Sequence, residues 1–181
     1  TMTAGRMRSA STSAAAIWSA AARTVGPDKS TVSLHVTFIE PGERHAEVRY
    51  LVESLREGRT DFRQVDIVQG RRCARAMATF GTDDTTSAID HQMTAPPSLH
   101  PEDLPPFERM NGRSVLVRCA PEHAPFRLDS APAEFELWFR ADVPLPDEWR
   151  AHHVLLAYLS DLTMTASPFR PVDGVYSGSD E

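Results

Sequence analysis

Hydrophobic and polar residues alternate along positions 31–80 with the period of two that marks β-strands. In the first strand Val32, Leu34, Val36 and Phe38 share one face, while Ser33, His35 and Thr37 share the other. Pro41-Gly42 turns the chain. The next run groups Ala46, Val48, Tyr50 and Val52 on one face. Gly58-Arg59 and Gly70-Arg71 mark two more turns. The last strand carries Ala74, Ala76, Ala78 and Phe80 on one side, where small side chains let a helix approach closely. Each strand runs to about ten residues, longer than the usual five or six. Long strands curl, and a curled sheet can grip a helix.

That helix is expected directly upstream, over residues 9–25. Ala14, Ile17, Trp18, Ala21 and Val25 keep the spacing of a packed helical face. Arg23 sits in its last turn, and Gly26-Pro27 stops it. From residue 81 to 132 the character changes: eight of the chain's 14 prolines fall there, and only 114–119 reads as a strand. A further strand is expected over 133–142 and a helix over 147–163; no periodicity follows Met164. These patterns divide the chain into a first unit (1–82), a Pro-rich linker (83–112) and an incomplete second unit (113–181). The second unit repeats the elements of the first without the strands that would close it. The class is α+β.

At 181 residues the chain fits one ordinary domain or two small ones, and 41% hydrophobic residues can build a core. A net charge of −6 argues against nucleic acid as a partner. No stretch approaches the roughly 18 uninterrupted apolar residues of a membrane helix, so a membrane is not an expected partner either. Cys73 and Cys119 lack CxxC spacing, so neither a metal site nor a disulfide framework is expected, and no cofactor is implied. Arg6, Arg8 and Arg23 precede the first acid, Asp28, as in a transit peptide, but helical packing accounts for that stretch. The opening Thr1-Met2 and the final SGSDE suggest a piece of a longer protein.

Several stretches carry a resemblance: AAARTV, SLHVTFIEPG, LREGRTDFRQVDIVQGRRCARAMATF, ELWFRAD and LLAYLSDLTM. Together they resemble the acyl-CoA thioesterase II family, in which two hotdog units are fused. AYLSD is the most specific of them, because it marks the second-unit helix. The resemblance implies a hotdog fold, a long antiparallel sheet wrapped around a central helix. It also implies hydrolysis of fatty acyl-CoA to fatty acid and CoA, a cytoplasmic location, and homo-oligomers built through hotdog sheets. In the family an aspartate on the second-unit helix, with a threonine and a glutamine from later strands, holds the attacking water. The aspartate carries over to Asp161; the other two have no counterpart before Glu181.

Asp161 is unusual on physical grounds too. Val154, Ala157 and Met164 form one apolar stripe around it, and Leu155, Leu156, Leu159 and Leu162 form a second. A helix apolar on both sides is normally buried. A buried carboxylate is costly, and a helix C-terminus disfavours negative charge. Broken local rules of this kind often mark function. The plainer reading is a frayed last turn with Asp161 in water. Thioester hydrolysis needs an oriented, partly deprotonated water and donors for the oxyanion. A helix N-terminus at Gly5-Arg6-Met7 is a candidate for the donors.

Other candidates keep two readings each. His35 contacts substrate or bonds across the sheet. Gln64 and Gln69 are sheet residues or neighbours of a site. Arg59 and Arg63, clustered with Arg56 at one hairpin, meet the phosphates of CoA or pair with Glu57 and Asp61. Adjacent His152 and His153 face different ways and share no metal. Asp90-His91 is solvated. The rival functions are a hotdog hydratase or dehydratase and a non-catalytic acyl-CoA-binding or assembly module. Hydratases of this fold place a histidine five residues after the aspartate, where this chain has Ala166. The absent closing strands favour the binding module.

Overall fold

The computed structural model describes residues 3–7, 13–43, 46–82, 91, 93–94, 97–108, 115–127, 129–162 and 166–173. Two compact units emerge, one of residues 1–90 with 147–161 and one of 91–146 with 162–181.

The first unit is an antiparallel five-stranded sheet with one helix against it. Its strands are β1 (Thr3–Met7), β2 (Lys29–Phe38), β3 (Val48–Arg56), β4 (Thr60–Gln69) and β5 (Arg71–Thr82), in the order β1-β3-β4-β5-β2. Helix α1 spans Ala14–Ala22 and packs on β3, β4 and β5. The expected helix was longer at both ends, and its residues 9–12 lie outside the described chain. Ser13 caps α1: its hydroxyl accepts from the Ala16 N–H. Ile17, Trp18, Ala21 and Ala22 meet Val48, Tyr50, Val52, Val65 and Ile67 in one core. Ala74, Ala76 and Ala78 are all but fully buried beneath the helix, the close approach expected of small residues. Gly70 makes the β4–β5 turn with φ +72°, a conformation glycine adopts without penalty.

Two expectations about this unit change. Gly5-Arg6-Met7 does not start a helix; it runs in β1, with Gly5 opposite Tyr50. It therefore offers no helix N-terminus for an oxyanion. The alternation of β2 also breaks at Val32. A bulge between Thr31 and Ser33 leaves Val32 as an extra residue, 66% exposed. Leu34 and Val36 still pack on the core, but Phe38 is exposed at the strand end.

The second unit holds a two-stranded antiparallel sheet, β6 (Val115–Arg118) with β7 (Trp138–Ala141). The strand expected over 133–142 is thus only its last part. Arg170 is buried here and donates to the carbonyls of Pro132, Ala124 and Glu122. Burial lowers its pKa from the ordinary guanidinium value. A cleft of 320 Å³ in this unit is lined by Leu99, Leu104, His123 and Glu136 among others, none of them a site residue expected from sequence.

Helix α2 (Trp149–Leu162) was expected with the second unit, yet residues 147–161 group with the first. Trp149, Val154 and Ala157 join the core around α1. Only one side of α2 is covered: Leu156 is 64% exposed, and His152 and Asp161 are exposed. The two-sided burial expected of this helix is not found.

Candidate functional site

α1 and α2 lie side by side and antiparallel, tied at both ends. On α2 the residues Arg150, Val154, Ala157 and Asp161 fall on one helical stripe. Val154 and Ala157 supply its apolar middle. At one end the Arg150 guanidinium donates to the carbonyls of Ala22 (2.7 Å), Val25 (3.1 Å) and Gly26 (3.1 Å), at the C-terminus of α1. At the other, Asp161 Oδ2 accepts from the Ala14 N–H at 3.2 Å, at the N-terminus of α1. Each charge stands at the wrong end of its own helix: a cation in the first turn of α2 and an anion in the last. Each stands at the favourable end of α1. The mismatch legible in the sequence is resolved by the neighbouring helix dipole.

Aromatic rings close the Arg150 end. Trp18 of α1 meets Trp149 edge-on at 5.9 Å, and His153 lies 5.2 Å from Trp149. Trp18 also donates its indole N–H to Thr31 Oγ1 at 2.9 Å, fixing α1 to β2.

Arg63 sits elsewhere than its hairpin neighbours suggested. On β4 the odd positions 61, 63, 65 and 67 face the core, and Arg63 is 2% exposed. Its Nε donates to Thr24 Oγ1 and one terminal nitrogen to the Arg56 and Phe62 carbonyls. The other donates to the Thr24 carbonyl and to Glu57 Oε1. A guanidinium has five N–H donors, so this one is fully committed. Asp61 lies 3.7 Å away and also neighbours the Lys29 ammonium. Lys29 in turn donates to the Gly58 and Arg59 carbonyls and to Thr82 Oγ1. Arg63 is therefore an internal brace between the β3–β4 turn and the end of α1, which corrects its expected place at a CoA phosphate.

Arg59 is exposed in that same turn. His35 is exposed on β2 opposite Met77, on the sheet face away from Leu34 and Val36. Across that outer face Asp66 is bonded by Arg75 (2.6 Å) and Arg72 (3.1 Å). The Arg75 hydrogen bond, with help from Arg72, holds its carboxyl below the usual range. The candidates are thus not one cluster. Asp161 lies at the N-terminal end of α1, whereas the Arg59 hairpin is braced through Arg63 to Thr24 just past its C-terminal end, and α1 itself is about 13 Å long. Gln69 accepts from the Glu43 N–H and donates to the Glu43 carbonyl. Sequence reasoning missed Arg150 and Lys29. The signal for Arg150 was available: a cation in the first turn of a helix.

Among the described residues no three His, Cys, Asp or Glu side chains gather to hold a metal ion. Among them, too, no helix is long and apolar enough to cross a membrane.

Comparison with known proteins bears directly on this architecture. The sequence model of the acyl-CoA thioesterase N-terminal domain matches residues 3–81. Acyl-CoA thioesterase 2 of Haemophilus influenzae is 28% identical over 172 residues, covering 84% of this chain and 59% of that protein. The crystal structure of acyl-CoA thioesterase II TesB2 from Mycobacterium marinum superposes with a TM-score of 0.70 at 33% identity, covering 86% of this chain and 60% of that one. A hot dog fold protein of unknown function from Alicyclobacillus acidocaldarius aligns with a TM-score of 0.65 at 21% identity, covering 86% of this chain and 63% of that one, which shows the fold alone. The chain spans about 60% of the length of the thioesterases it matches. Residues 3–81 thus match the acyl-CoA thioesterase N-terminal domain, and the chain is similar in sequence and in its hotdog fold to acyl-CoA thioesterase II.

Proposed function

We propose that the protein hydrolyses fatty acyl-CoA thioesters, with Asp161 as the carboxylate that orients and deprotonates water. The observation that carries this reading is the state of that carboxylate. It is exposed at the end of α1, and Oδ2 is held by the Ala14 amide. Oδ1 takes no hydrogen bond from any described residue. A general base needs an oxygen available to its water and a fixed orientation, and this arrangement supports both. The likeness to acyl-CoA thioesterases supports the substrate class.

Arg59 is assigned to the phosphates of CoA. CoA carries phosphates and thioester at opposite ends, so separate places for the two agree with its shape. His35, on the exposed face of β2, is the second substrate contact. β2 has a free edge among the described strands, which supports homo-oligomers built through the sheet. The setting is cytoplasmic fatty acid metabolism.

A second reading is a non-catalytic acyl-CoA-binding module. It is favoured by one observation: Asp161 already has a structural role as an anion at the N-terminus of α1. Thiol release from a fatty acyl-CoA separates the two. Hydrolysis by the full-length protein, well above the buffer rate, is expected; saturable binding without thiol release would establish the module instead. Arg59→Glu is expected to weaken acyl-CoA binding and flatten its salt dependence. Unchanged affinity at low salt would return Arg59 to the surface.

A further inference from the structure

We propose that the backbone N–H of Ala14 is a positioning group for the reaction. It takes Asp161 Oδ2 and so presents Oδ1 to the attacking water. This rests on the reading of Asp161 as the water-activating carboxylate.

Three observations lead there. First, Ala14 is the first helical residue after the Ser13 cap, and the next N–H groups are used within the turn. Ala16 and Ile17 both donate to Ser13. The Ala14 N–H instead leaves α1 and crosses to another element. Second, the donor is rigid. A backbone amide has no rotamers and no titration, and α1 is anchored at its far end by Arg63 through Thr24 and by Arg150 through three carbonyls. Third, the two ties hold opposite ends of the helix pair. Arg150 and Asp161 stand eleven residues apart on α2, about 16 Å at the rise of an α-helix, and they reach the C-terminal end of α1 at Ala22 and its first residue Ala14 respectively. Sliding α2 along α1 would break one tie or the other, so the carboxylate is fixed along the helix axis.

The chemistry follows in order. Oδ1 accepts a proton as the water oxygen bonds to the thioester carbon, and the carbonyl electron pair moves onto its oxygen. The tetrahedral species collapses, the C–S bond breaks, and the departing sulfur recovers the proton from Asp161. Thioester and water become carboxylic acid and thiol. A carboxylate free to rotate would offer the water a poorly aimed acceptor, and geometry of this kind governs rate more than binding.

Ala14→Pro is the direct test. Proline is favoured at the first helical position, and Ser13 has the extended backbone (φ −85°, ψ 149°) that a residue before proline needs. The substitution replaces the donating hydrogen with the ring Cδ, which also displaces Oδ2 from its place against Ala14. In the full-length protein, kcat for acyl-CoA hydrolysis should fall about tenfold with KM unchanged, the scale of one hydrogen bond lost from the transition state. Ala14→Gly keeps the N–H and should restore most of that rate. Full kcat in Ala14→Pro, beside a loss in Asp161→Asn, would overturn the positioning role while leaving the base in place. Full activity in Asp161→Asn would overturn the base and the positioning role together. Should Ala14→Pro fail to fold, the Ala14 amide proton resonance decides. It should move upfield in Asp161→Asn, and an unmoved resonance would overturn the proposal.

Discussion

Asp161 and Ala14 lie 147 residues apart in sequence and are joined by a 3.2 Å hydrogen bond. The bond puts an acidic side chain from the last turn of one helix against the first turn of another. Arg150 mirrors it at the opposite end. An ion at each end of α1 stabilises that helix, and the two ions are the ends of one stripe on α2. The same contact that secures the helix pair sets the orientation of the proposed base.

Arg63 should be among the most sensitive positions for stability. Arg63→Ala removes a buried cation from Asp61 and strands the Thr24, Arg56 and Phe62 carbonyls. A loss of about 3–5 kcal/mol is expected from urea denaturation. Arg63→Lys should recover little, because an ammonium cannot reproduce the five-donor fork. A loss below about 1 kcal/mol in either variant would contradict the role of an internal brace.

The sheet was largely legible in the sequence, because a period of two fixes which side chains share a face. Val48, Tyr50, Val52, Ala74, Ala76, Ala78 and Phe80 lie on the core as their alternation required. The same alternation placed Arg63 beside Val65 and Ile67 on the inner face, a signal outweighed by its charge. The bulge at Val32 left no mark, since an extra residue in one strand depends on the register of its partner. β1 escaped notice because its short, polar stretch gains its order from pairing with β3. The place of α2 could not be read either. Its stripes show which side is apolar, but not which helix will cover it.

Asp66 should contribute to acid stability. Its bond to Arg75 keeps it ionised to lower pH in the folded state than in the unfolded chain. Its contribution is therefore present above the usual carboxylate pKa, about 3.9, and is lost as pH falls through the lowered folded value. Asp66→Asn should flatten the fall in denaturation midpoint on acidification below about pH 4. Parallel acid profiles for the two proteins would contradict the assignment.

Tyr50 carries a buried hydroxyl with no hydrogen-bond partner among the described residues. Tyr50→Phe removes that unsatisfied group and keeps the ring, so stability should hold or rise by about 1 kcal/mol in thermal unfolding. Burial also raises the Tyr50 pKa. Its contribution is full below about pH 10 and lost as pH rises towards the folded value, so the Phe variant should lose less stability in alkali. A marked loss at neutral pH would mean the hydroxyl is satisfied after all.

The most direct measurement is kcat for fatty acyl-CoA hydrolysis by the Asp161→Asn variant of the full-length protein. Asparagine is nearly isosteric, and its carbonyl oxygen can still accept from the Ala14 amide, so the helix pair should remain. The amide cannot take a proton from water. kcat should fall roughly 100-fold or more with KM little changed, the scale for losing a positioned base. Turnover equal to the unsubstituted protein would place the active site elsewhere.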